Sequence, residues 1–491
     1  MTMSGGQVRD ARRRAEQDEH VSVMPPWTIW VGAFVVVLVG AVSGWLLLSS
    51  FGGGSAQDKV RLEILKLTGS IVLGTGGGVA LLLAARRQRA AEVDIAHKKK
   101  DAAERRVTEL YTSAAEQLGS DKAAVRLAGL YALERLAQEN AKHRPMIVDV
   151  ICAYLRMPYT QPSDYDASSR SQDGRRRRGL HPPNRNAMSS SSILVAVRQI
   201  FSALSNVIGG QESQRQELQV RLAAQRLLAT HLRPEKDKQG RPTNERFWPD
   251  MELDLTGAVL INWDMTECQS KYAEFADAEF RGKTSFSHVV FDEGASFDSA
   301  VFEGDLWFRS ARFHGEARFT LATFNSDIWF SHATFYDAAS LGGATFHESA
   351  WFEDVTFHGS VSIQNASFHG HVSFKSSIFN GGAFFENVTF GSKSSFQRVK
   401  FYQIVSFGSA AFERRVMLQD ATFHGSVNFE VVTFHGDVWF GNTRARANDY
   451  KWPAGWVWRE DPAHPVTAAE RWGILMPSEE EGSEKCKLYS G

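Results

Sequence analysis

Large apolar residues recur through the C-terminal half of the chain in steps of five and six. From Phe275 to Phe440 they occupy 31 consecutive positions of this series, and 28 of them are phenylalanine. The three exceptions, Leu341, Ile363 and Leu418, are also apolar. A helix repeats every 3.6 residues and a strand every two, so neither element alone explains the rhythm. The pattern predicts a structure that returns an aromatic side chain to the same place after eleven residues.

A second apolar or small residue stands two positions before most members of this series. It is usually alanine or valine, as in Ala278, Ala300 and Val355. The residues after each member are mostly Gly, His, Asp, Asn, Glu or Ser, which favour turns. One such unit cannot bury its phenylalanine alone, so successive units are predicted to stack into a solenoid.

The segments "AEFADAEF", "ARFTLATF" and "ATFHGSVNFEVVTF" resemble the pentapeptide-repeat proteins. The resemblance implies a right-handed quadrilateral β-helix over 250–440. Two eleven-residue segments then make one 22-residue coil, and the sixth residue of each six-residue step is an additional residue at a corner. We therefore expect a less square cross-section than the family norm. Leu255, Leu260 and Met265 keep a plain five-residue step, which predicts the first coil. The span 255–440 then corresponds to about eight coils.

Two uncharged runs precede the repeat region. Residues 27–51 are 25 residues without a charge, and a second run covers 67–85. About 20 apolar residues cross a bilayer, so the two runs predict a two-span transmembrane hairpin. A cleaved signal peptide is the alternative for the first run, and a buried core helix is the alternative for the second. Basic residues at both outer ends place both termini in the cytoplasm of a multi-pass membrane protein.

The region between the hairpin and the repeat is predicted to be helical. Val125, Leu127, Leu130, Leu133 and Leu136 form one apolar face, and a helix beginning after residue 145 reads as fully buried. A Ser-, Pro- and Arg-rich linker follows, including "GRRRRG", which is either a solvated charge run or a site for anionic lipid or nucleic acid. Helical pattern then returns, and we expect its last part to cover the first coil. A segment with three tryptophans is expected to cover the last coil.

The predicted fold class is therefore an α+β multidomain chain. Its predicted parts are a cytoplasmic basic N-terminus at 1–26, the transmembrane hairpin at 27–85, a helical domain at 86–159, a disordered Arg/Ser-rich linker at 160–192, a helical segment and N-terminal cap at 193–249, the β-helix at 250–440, and a Trp-rich cap and charged tail at 441–491. The hairpin and "LGSDKAAVRLAGLYALERLAQEN" are also similar, more loosely, to the front halves of membrane-anchored actinobacterial pentapeptide-repeat proteins.

The net charge of −1 hides an asymmetry between the two halves. Residues 1–250 carry 36 Lys and Arg against 25 Asp and Glu, whereas 251–440 carry 12 against 23. The repeat region is therefore acidic. The three cysteines, Cys152, Cys268 and Cys486, form no CxxC motif. Their number and spacing exclude a disulfide framework and a cysteine-rich zinc site, and they suit a reducing compartment.

No pattern of catalytic or ligand-binding residues emerges. "RGKTS" at 281–285 is similar to the end of a phosphate-binding loop, but Asp277 stands where that loop needs glycine. The segment "FHG" recurs in the repeat region. The 22-residue period places His347, His369 and His435 on one face of the coil, and His314, His358 and His424 on the opposite face. They are turn residues without recurring carboxylates. We predict no catalytic, cofactor-binding or metal-binding residues and no cofactor.

Three functions compete. The first is a non-catalytic, membrane-anchored scaffold for protein–protein interaction in the cytoplasm. Its partners are the lipid bilayer, through two spans, and an unknown cytoplasmic protein; self-association through the spans or the rod stays open. The second follows from the resemblance, since some pentapeptide-repeat proteins mimic duplex DNA and bind type II topoisomerases; direct nucleic-acid binding is not expected. The third, a channel built from oligomerised hairpins, lacks charged or filter-like residues in the spans.

Overall fold

The computed structural model describes residues 58–160, 212–239, 241–447, 450–453, 455–460 and 472–477, together with eight single helical residues between 34 and 49. The chain divides into two units, Met1–Arg106 and Val107–Gly491. The helices are α1 at Asp58–Leu118, which crosses that boundary, α2 at Ala123–Glu139, a 3-10 turn at Ala141–His143, α3 at Arg144–Arg156, and α4 at 212–232.

The predicted transmembrane hairpin is not supported. Its first run, residues 27–51, lies outside the described residues except for those single helical positions. Its second run, 67–85, is one part of α1, a helix of 61 residues that continues through a long charged segment. Within the described ranges, no helix combines the length and the apolar character that crossing a membrane requires. The predicted linker and the helical pattern at 193–207 also lie outside the described residues, apart from the linker's first position.

The packing of the helices in the second unit agrees with the predictions only in part. Leu130, Leu133 and Leu136 of α2 are buried, in agreement with the predicted apolar face. The prediction that α3 is fully buried was wrong, because only one side of the helix faces the core. Met146 and Asp149 lie on its exposed side, so α3 is amphipathic.

The region from residue 252 onward is a four-faced β-solenoid of parallel strands. Face 1 contains Glu252–Asp254, Tyr272–Glu274, Ala295–Ser296, Ala317–Arg318, Ala339–Ser340, Val361–Ser362, Ala383–Phe384, Val405–Ser406, Val427–Asn428 and Tyr450–Lys451. Face 2 contains Val259–Ile261, Glu279–Arg281, Val301–Phe302, Thr323–Phe324, Thr345–Phe346, Ser367–Phe368, Thr389–Phe390, Ala411–Phe412 and Thr433–Phe434.

Faces 3 and 4 complete each turn of the solenoid. Face 3 contains Thr284–Ser285, Leu306–Trp307, Ile328–Trp329, Ala350–Trp351, Val372–Ser373, Ser394–Ser395, Val416–Met417 and Val438–Trp439. Face 4 contains Gln269–Ser270, Val290–Phe291, Arg312–Phe313, Thr334–Phe335, Thr356–Phe357, Ile378–Phe379, Lys400–Phe401, Thr422–Phe423 and Arg444–Arg446, followed by Trp472–Pro477 and Trp456–Glu460, both antiparallel to their neighbours. The ten strands of face 1 correspond to about nine turns, one more than expected.

Parallel pairing sets each residue beside the residue one coil later. The first coil has a 20-residue step, from Leu253 to Ala273, and the next has 22, from Ala273 to Ala295. The plain five-residue step of the first coil is therefore confirmed. Members of the aromatic series stack on each other inside the rod; on face 3, the ring centroids of Phe308 and Phe330 lie 4.8 Å apart and their planes differ by 3°. All members are buried except half-buried Phe434.

Two kinds of corner join the faces. After faces 1 and 3 the chain makes a tight turn whose third residue has positive φ, as Leu321 does at 59°, and Ala322 N–H donates to the Phe319 carbonyl at 3.2 Å. This geometry is typical of type II turns. After faces 2 and 4 comes the six-residue step. There a Cβ on Gly315 would lie 2.1 Å from the Glu293 carbonyl oxygen of the previous coil, which explains the glycine of "FHG" at this corner.

Helix α4 covers the open edge of the first coil. The Gln225 side chain donates from Nε2 to the Ile261 carbonyl at 2.8 Å, and Ile261 N–H donates to Gln225 Oε1 at 3.0 Å. The amide thus replaces the peptide group that a previous coil would supply. Arg233 Nε also donates to the Thr266 carbonyl at 2.7 Å. An open solenoid edge invites pairing with other chains, so these bonds protect it.

Tryptophans cover the last coil. Trp452 stacks on Phe429 with centroids 6.1 Å apart, and Trp456 contacts Phe440 at 4.6 Å. The Trp458 indole N–H donates to the Ala445 carbonyl at 3.0 Å. Both ends of the aromatic core are therefore closed by residues outside the repeat.

Replacing Gln225 by alanine should destabilise the rod at its first coil. Two buried backbone groups of Ile261 would lose their partner, and each unsatisfied group costs about 1–3 kcal/mol. We expect the free energy of unfolding in guanidinium to fall by about 2–4 kcal/mol. Gln216→Ala on the exposed side of α4 is the matched control and should change it by less than about 0.5 kcal/mol. Equal losses in the two variants would show that Gln225 is not a cap.

Candidate interaction surface

The interior of the rod is filled by its own side chains, so chemistry is confined to the outer rows. Each outer row is a column of residues that occupy the same position in successive coils. Two rows stand out because aromatic side chains recur in them. One follows the corner between faces 4 and 1, and the other follows the middle of face 3.

The first of these rows, which we call the corner ladder, consists of His314, Tyr336, His358, Asn380, Tyr402 and His424. Ring centroids are 4.5 Å apart between His314 and Tyr336, and 5.3 Å between Tyr336 and His358. The Asn380 amide nitrogen lies 3.3 Å from His358 Nδ1. Tyr402 stacks on His424 at 4.4 Å. The ladder is thus a continuous column along much of the rod.

The corner ladder is exposed and borders further apolar surface. Tyr336 and Tyr402 remain 45% and 43% exposed, although each contacts its neighbours in the ladder. Ile404, two residues after Tyr402, is 47% exposed. Phe384 lies on the outer side of face 1 and is half-buried. A run of aromatic and apolar side chains therefore faces outward where a turn would normally be polar.

The second row, which we call the tryptophan row, consists of Trp307, Trp329 and Trp351 on face 3. The rings of Trp307 and Trp329 stack with centroids 5.5 Å apart and planes within 6°. Trp351 pairs with Trp329 in the strand register, and His371 meets the Trp351 ring edge-on at 5.1 Å. All three indoles are half-buried.

The structure places the predicted histidines at turns. His347 and His369 stack one coil apart at the corner between faces 2 and 3, with ring centroids 5.3 Å apart. His314, His358 and His424 belong to the corner ladder instead. Among the described residues, no group of three or more His, Cys, Asp or Glu is placed to hold a metal ion. "RGKTS" runs from the last residue of a face 2 strand through the corner into face 3, where Thr284 is buried.

The acidic charge of the rod is partly neutralised within its first coils. Arg318 pairs with Asp298, and Lys271 pairs with Glu252 and also lies 3.6 Å from Glu293. The carboxylate of Glu252 raises the pKa of Lys271 above its usual value. The rod therefore does not present an unbroken line of carboxylates.

A family model for pentapeptide repeats, with nine copies, matches residues 275–323, 308–356, 343–392 and 385–433. The matched residues cover most of the rod, which therefore consists of pentapeptide repeats. The family consists of scaffold or interaction proteins, and its β-solenoid is generally non-catalytic. The likeness to membrane-anchored actinobacterial members is not shown. No curated protein and no solved structure matches the chain.

Sequence reasoning on the pentapeptide repeats missed both aromatic rows. It followed the inward positions, where the phenylalanines stand, and treated the outward positions as turn formers. Reading every twenty-second residue would have found the tryptophan row, because "DLWF", "DIWF" and "DVWF" begin at 305, 327 and 437. The corner ladder has a weaker signal, since its members change between His, Tyr and Asn.

Two cysteines of the chain, one in α3 and one in the rod, lack the environment of a reactive thiol. Cys152 in α3 and Cys268 in the first coil are both free and buried. Burial raises the pKa of each thiol to about 12. Because the thiolate is the nucleophile, neither is suited to catalysis at neutral pH.

These thiols predict a loss of stability in alkali. In the unfolded chain a thiol ionises near pH 8.5, whereas in the folded protein it stays neutral until about pH 12. A raised folded pKa contributes stability that is full below pH 8.5 and is lost as pH rises towards 12. In a Cys486→Ala background, unfolding free energy should fall by about 2 kcal/mol per thiol between pH 8.5 and 10. A Cys152→Ala/Cys268→Ala variant of that background should lose correspondingly less; identical pH profiles would contradict the assignment.

Proposed function

We propose that this pentapeptide-repeat protein is a non-catalytic scaffold that binds a partner protein along the outer rows of its rod. The observation that carries the proposal is the exposed corner ladder. Tyrosine and other aromatic residues are enriched at protein interfaces, because they bury large area with few rotatable bonds. A turn row needs no aromatic residue for folding, since the polar residues Glu303, Asn325 and Glu413 stand at the equivalent position of the corner between faces 2 and 3.

The geometry of the ladder suits an extended partner surface. Its members stack on each other, so their side chains are held in place before a partner arrives and little rotamer entropy remains to be lost. Tyr336 and Tyr402 are three coils apart, which at about 4.8 Å per coil separates them by about 14 Å. A partner in contact with both would cover Asn380 and reach Ile404. This is the scale of the central patch in an ordinary interface.

A DNA-mimic function receives less support. DNA carries one negative charge per about 1.7 Å, and mimicry requires comparable rows of carboxylates. Here several carboxylates of the first coils pair with Arg318, Arg281 and Lys271. The corner ladder is uncharged apart from its histidines. A topoisomerase or another DNA-binding partner therefore stays the alternative, distinguished by the salt dependence of binding.

Membrane attachment is a separate part of the proposal and rests on residues 27–51 alone. This run holds 25 residues without a charge, and among its single described positions Phe34 and Trp45 are exposed. Exposed apolar side chains in such a run favour contact with lipid. Carbonate extraction of membranes should leave the full chain in the pellet and release a chain that lacks 27–51. Equal release of both would remove this part of the proposal without affecting the scaffold.

Substituting the two ladder tyrosines should strongly weaken partner capture. We would tag the full chain and compare wild type with Tyr336→Thr/Tyr402→Thr by quantitative capture from lysate of its own cells. We expect a specific protein to be retained at high salt by wild type and reduced about tenfold in the variant, because hydrophobic contacts resist screening. Leu321→Asn/Val431→Asn is the control.

The control removes exposed apolar side chains from another corner. Leu321 and Val431 are 62% and 76% exposed and have positive φ, which asparagine tolerates better than either. It should fold at least as well as wild type and capture the partner normally. Capture that is equal in all three proteins would overturn the ladder as the interface. Release at high salt, together with competition by duplex DNA, would support the DNA-mimic alternative instead.

A further inference from the structure

The charge of the rod changes sign in its later coils. From residue 251 to 374 the chain carries 6 Lys and Arg against 18 Asp and Glu, whereas from 375 to 415 it carries 6 against 2. The later coils therefore interrupt an acidic rod with a basic surface. Because both stretches have the same fold, the solenoid itself does not require this change.

Three of these cations, Lys375, Arg398 and Lys400, lie together around the corner between faces 3 and 4, and we call them the basic corner. Arg398 is the third residue of a turn, Lys400 begins the next strand of face 4, and Lys375 lies one coil earlier. Ser376 N–H donates to the Gln397 carbonyl at 2.8 Å, which sets the two coils side by side. Arg398 and Lys400 are exposed and Lys375 is half-buried. Among the described residues, none of the three cations forms an ion pair.

The turn itself gives no reason for an arginine at position 398. The φ of Arg398 is 55°, in the left-handed region that asparagine and glycine tolerate better than long side chains. Asp420, one coil later, accepts from Asn442 Nδ2 at 3.2 Å and does not pair with Arg398. In the first coils, by contrast, Arg318 pairs with a carboxylate of the neighbouring coil. The charges of the basic corner therefore remain available to an anion.

The last described strand ends beside the same corner. Trp472–Pro477 runs antiparallel to Arg444–Arg446, and Leu475 N–H donates to the Thr443 carbonyl at 3.2 Å. Thr443 stands at the corner between faces 3 and 4, two coils after the turn that holds Arg398. With one more strand spacing added, Leu475 lies about 14 Å from Arg398. The chain therefore leaves the rod next to the basic corner.

The sequence that follows this strand is acidic. Residues 478–491 lie outside the described residues, and 479–484 read "EEEGSE", with four glutamates and no Lys or Arg. Glu479, Glu480 and Glu481 follow Leu475 by four to six residues. An extended chain spans at most about 3.3–3.6 Å per residue, which gives these glutamates a reach of about 13–22 Å. The distance to Arg398 lies within this reach.

We propose that the segment 479–484 docks on the basic corner of its own chain, with its glutamates paired to Arg398, Lys400 and Lys375. Charge complementarity and the short distance from the end of the strand identify this occupant. An exposed ion pair is weak by itself. However, a tether of a few residues gives an effective concentration on the order of millimolar, so weak pairs suffice.

Docking gives the acidic segment a regulatory role. The docked segment neutralises the basic corner and excludes other anions from it, so it competes within the molecule with any acidic partner of this surface. The inference goes beyond the scaffold function and does not depend on it, because the corner ladder follows a different corner, the one between faces 4 and 1.

Zero-length carbodiimide crosslinking of the full-length protein tests this contact. The reagent joins a carboxylate to an amine only where the two touch, so docking yields an amide between a glutamate of 479–484 and Lys400 or Lys375. We expect this product at low salt in the monomer, with a yield that does not change on dilution. At 1 M salt the yield should fall about tenfold, because exposed charges are then screened within about 3 Å. Mass spectrometry of the digested monomer measures the product.

Three single variants keep the test specific, since none of them removes a group that enters the product. Arg398→Gln keeps the length of the side chain and should lower the yield about threefold. Asp420→Asn removes the carboxylate beside the basic corner and should raise the yield. Arg309→Gln is the matched control, because Arg309 is an exposed cation at the same corner four coils earlier. It should change the yield by less than about 1.5-fold, and circular dichroism checks that each variant is folded.

Several results would overturn the proposal. These are absence of the product at low salt, equal yields in wild type and Arg398→Gln, an equal loss in Arg309→Gln, or a lower yield in Asp420→Asn. A yield that falls on dilution would place the segment on a second copy of the chain and would also overturn it. Capture of the cellular partner is scored separately with the ladder variant, so none of these results decides the scaffold function.

Discussion

In-register parallel pairing is the constraint on which the rest of this structure depends. The hydrogen bonds between coils set each residue beside its counterpart 22 residues later, as Phe313 beside Phe335. A side chain must therefore be compatible with the same position in the neighbouring coils. This explains why the aromatic series runs without a polar interruption from Phe275 to Phe440. A polar residue in that series would be buried among phenylalanines on both sides, at a cost of several kcal/mol.

The same constraint acts at the corners and on the surface. At the six-residue corners, successive coils come so close that a Cβ on Gly370 would lie 2.2 Å from the Glu348 carbonyl carbon. On the outer side of the rod, the constraint sets residues at the same position of successive coils in one column. Tyrosine beside histidine becomes the corner ladder, and tryptophan beside tryptophan becomes the tryptophan row. Any partner of the rod therefore meets a repeated chemical feature, and the functional proposals follow from which feature is repeated.

Much of the rod could be predicted from the sequence, because burial leaves a strong periodic signal. The positions of the phenylalanines and of the neighbouring histidines His347 and His369 follow from the 22-residue period. The short first coil follows from the plain five-residue step of Leu255, Leu260 and Met265. Other features left weaker signals. The exposed side of α3 was missed because Met146 and Ala153 on that side carry apolar side chains. The number of turns was set one too low because the last coil, near Tyr450, no longer keeps the aromatic series.

The candidate surface was less predictable than the core, for a physical reason. Outward residues are free to vary wherever no partner selects them, so their pattern is interrupted. "SAWF" at 349–352 keeps the tryptophan but lacks the aspartate of "DLWF" and "DIWF", which makes the tryptophan row harder to recognise. The role of Gln225 as a substitute peptide group also leaves no pattern, because it depends on α4 meeting a strand edge in space.

The most direct test of the 22-residue register is disulfide trapping between engineered cysteines. His347→Cys/His369→Cys places two thiols at the same corner one coil apart, a separation of about 5 Å that suits a disulfide. His347→Cys/His358→Cys places them at different corners and is the control. In a background with Cys152, Cys268 and Cys486 replaced by alanine, mild oxidation should bridge the first pair within the monomer and leave the second pair reduced. A bridge in the second pair, or none in either, would contradict the register on which the fold and both proposed surfaces depend.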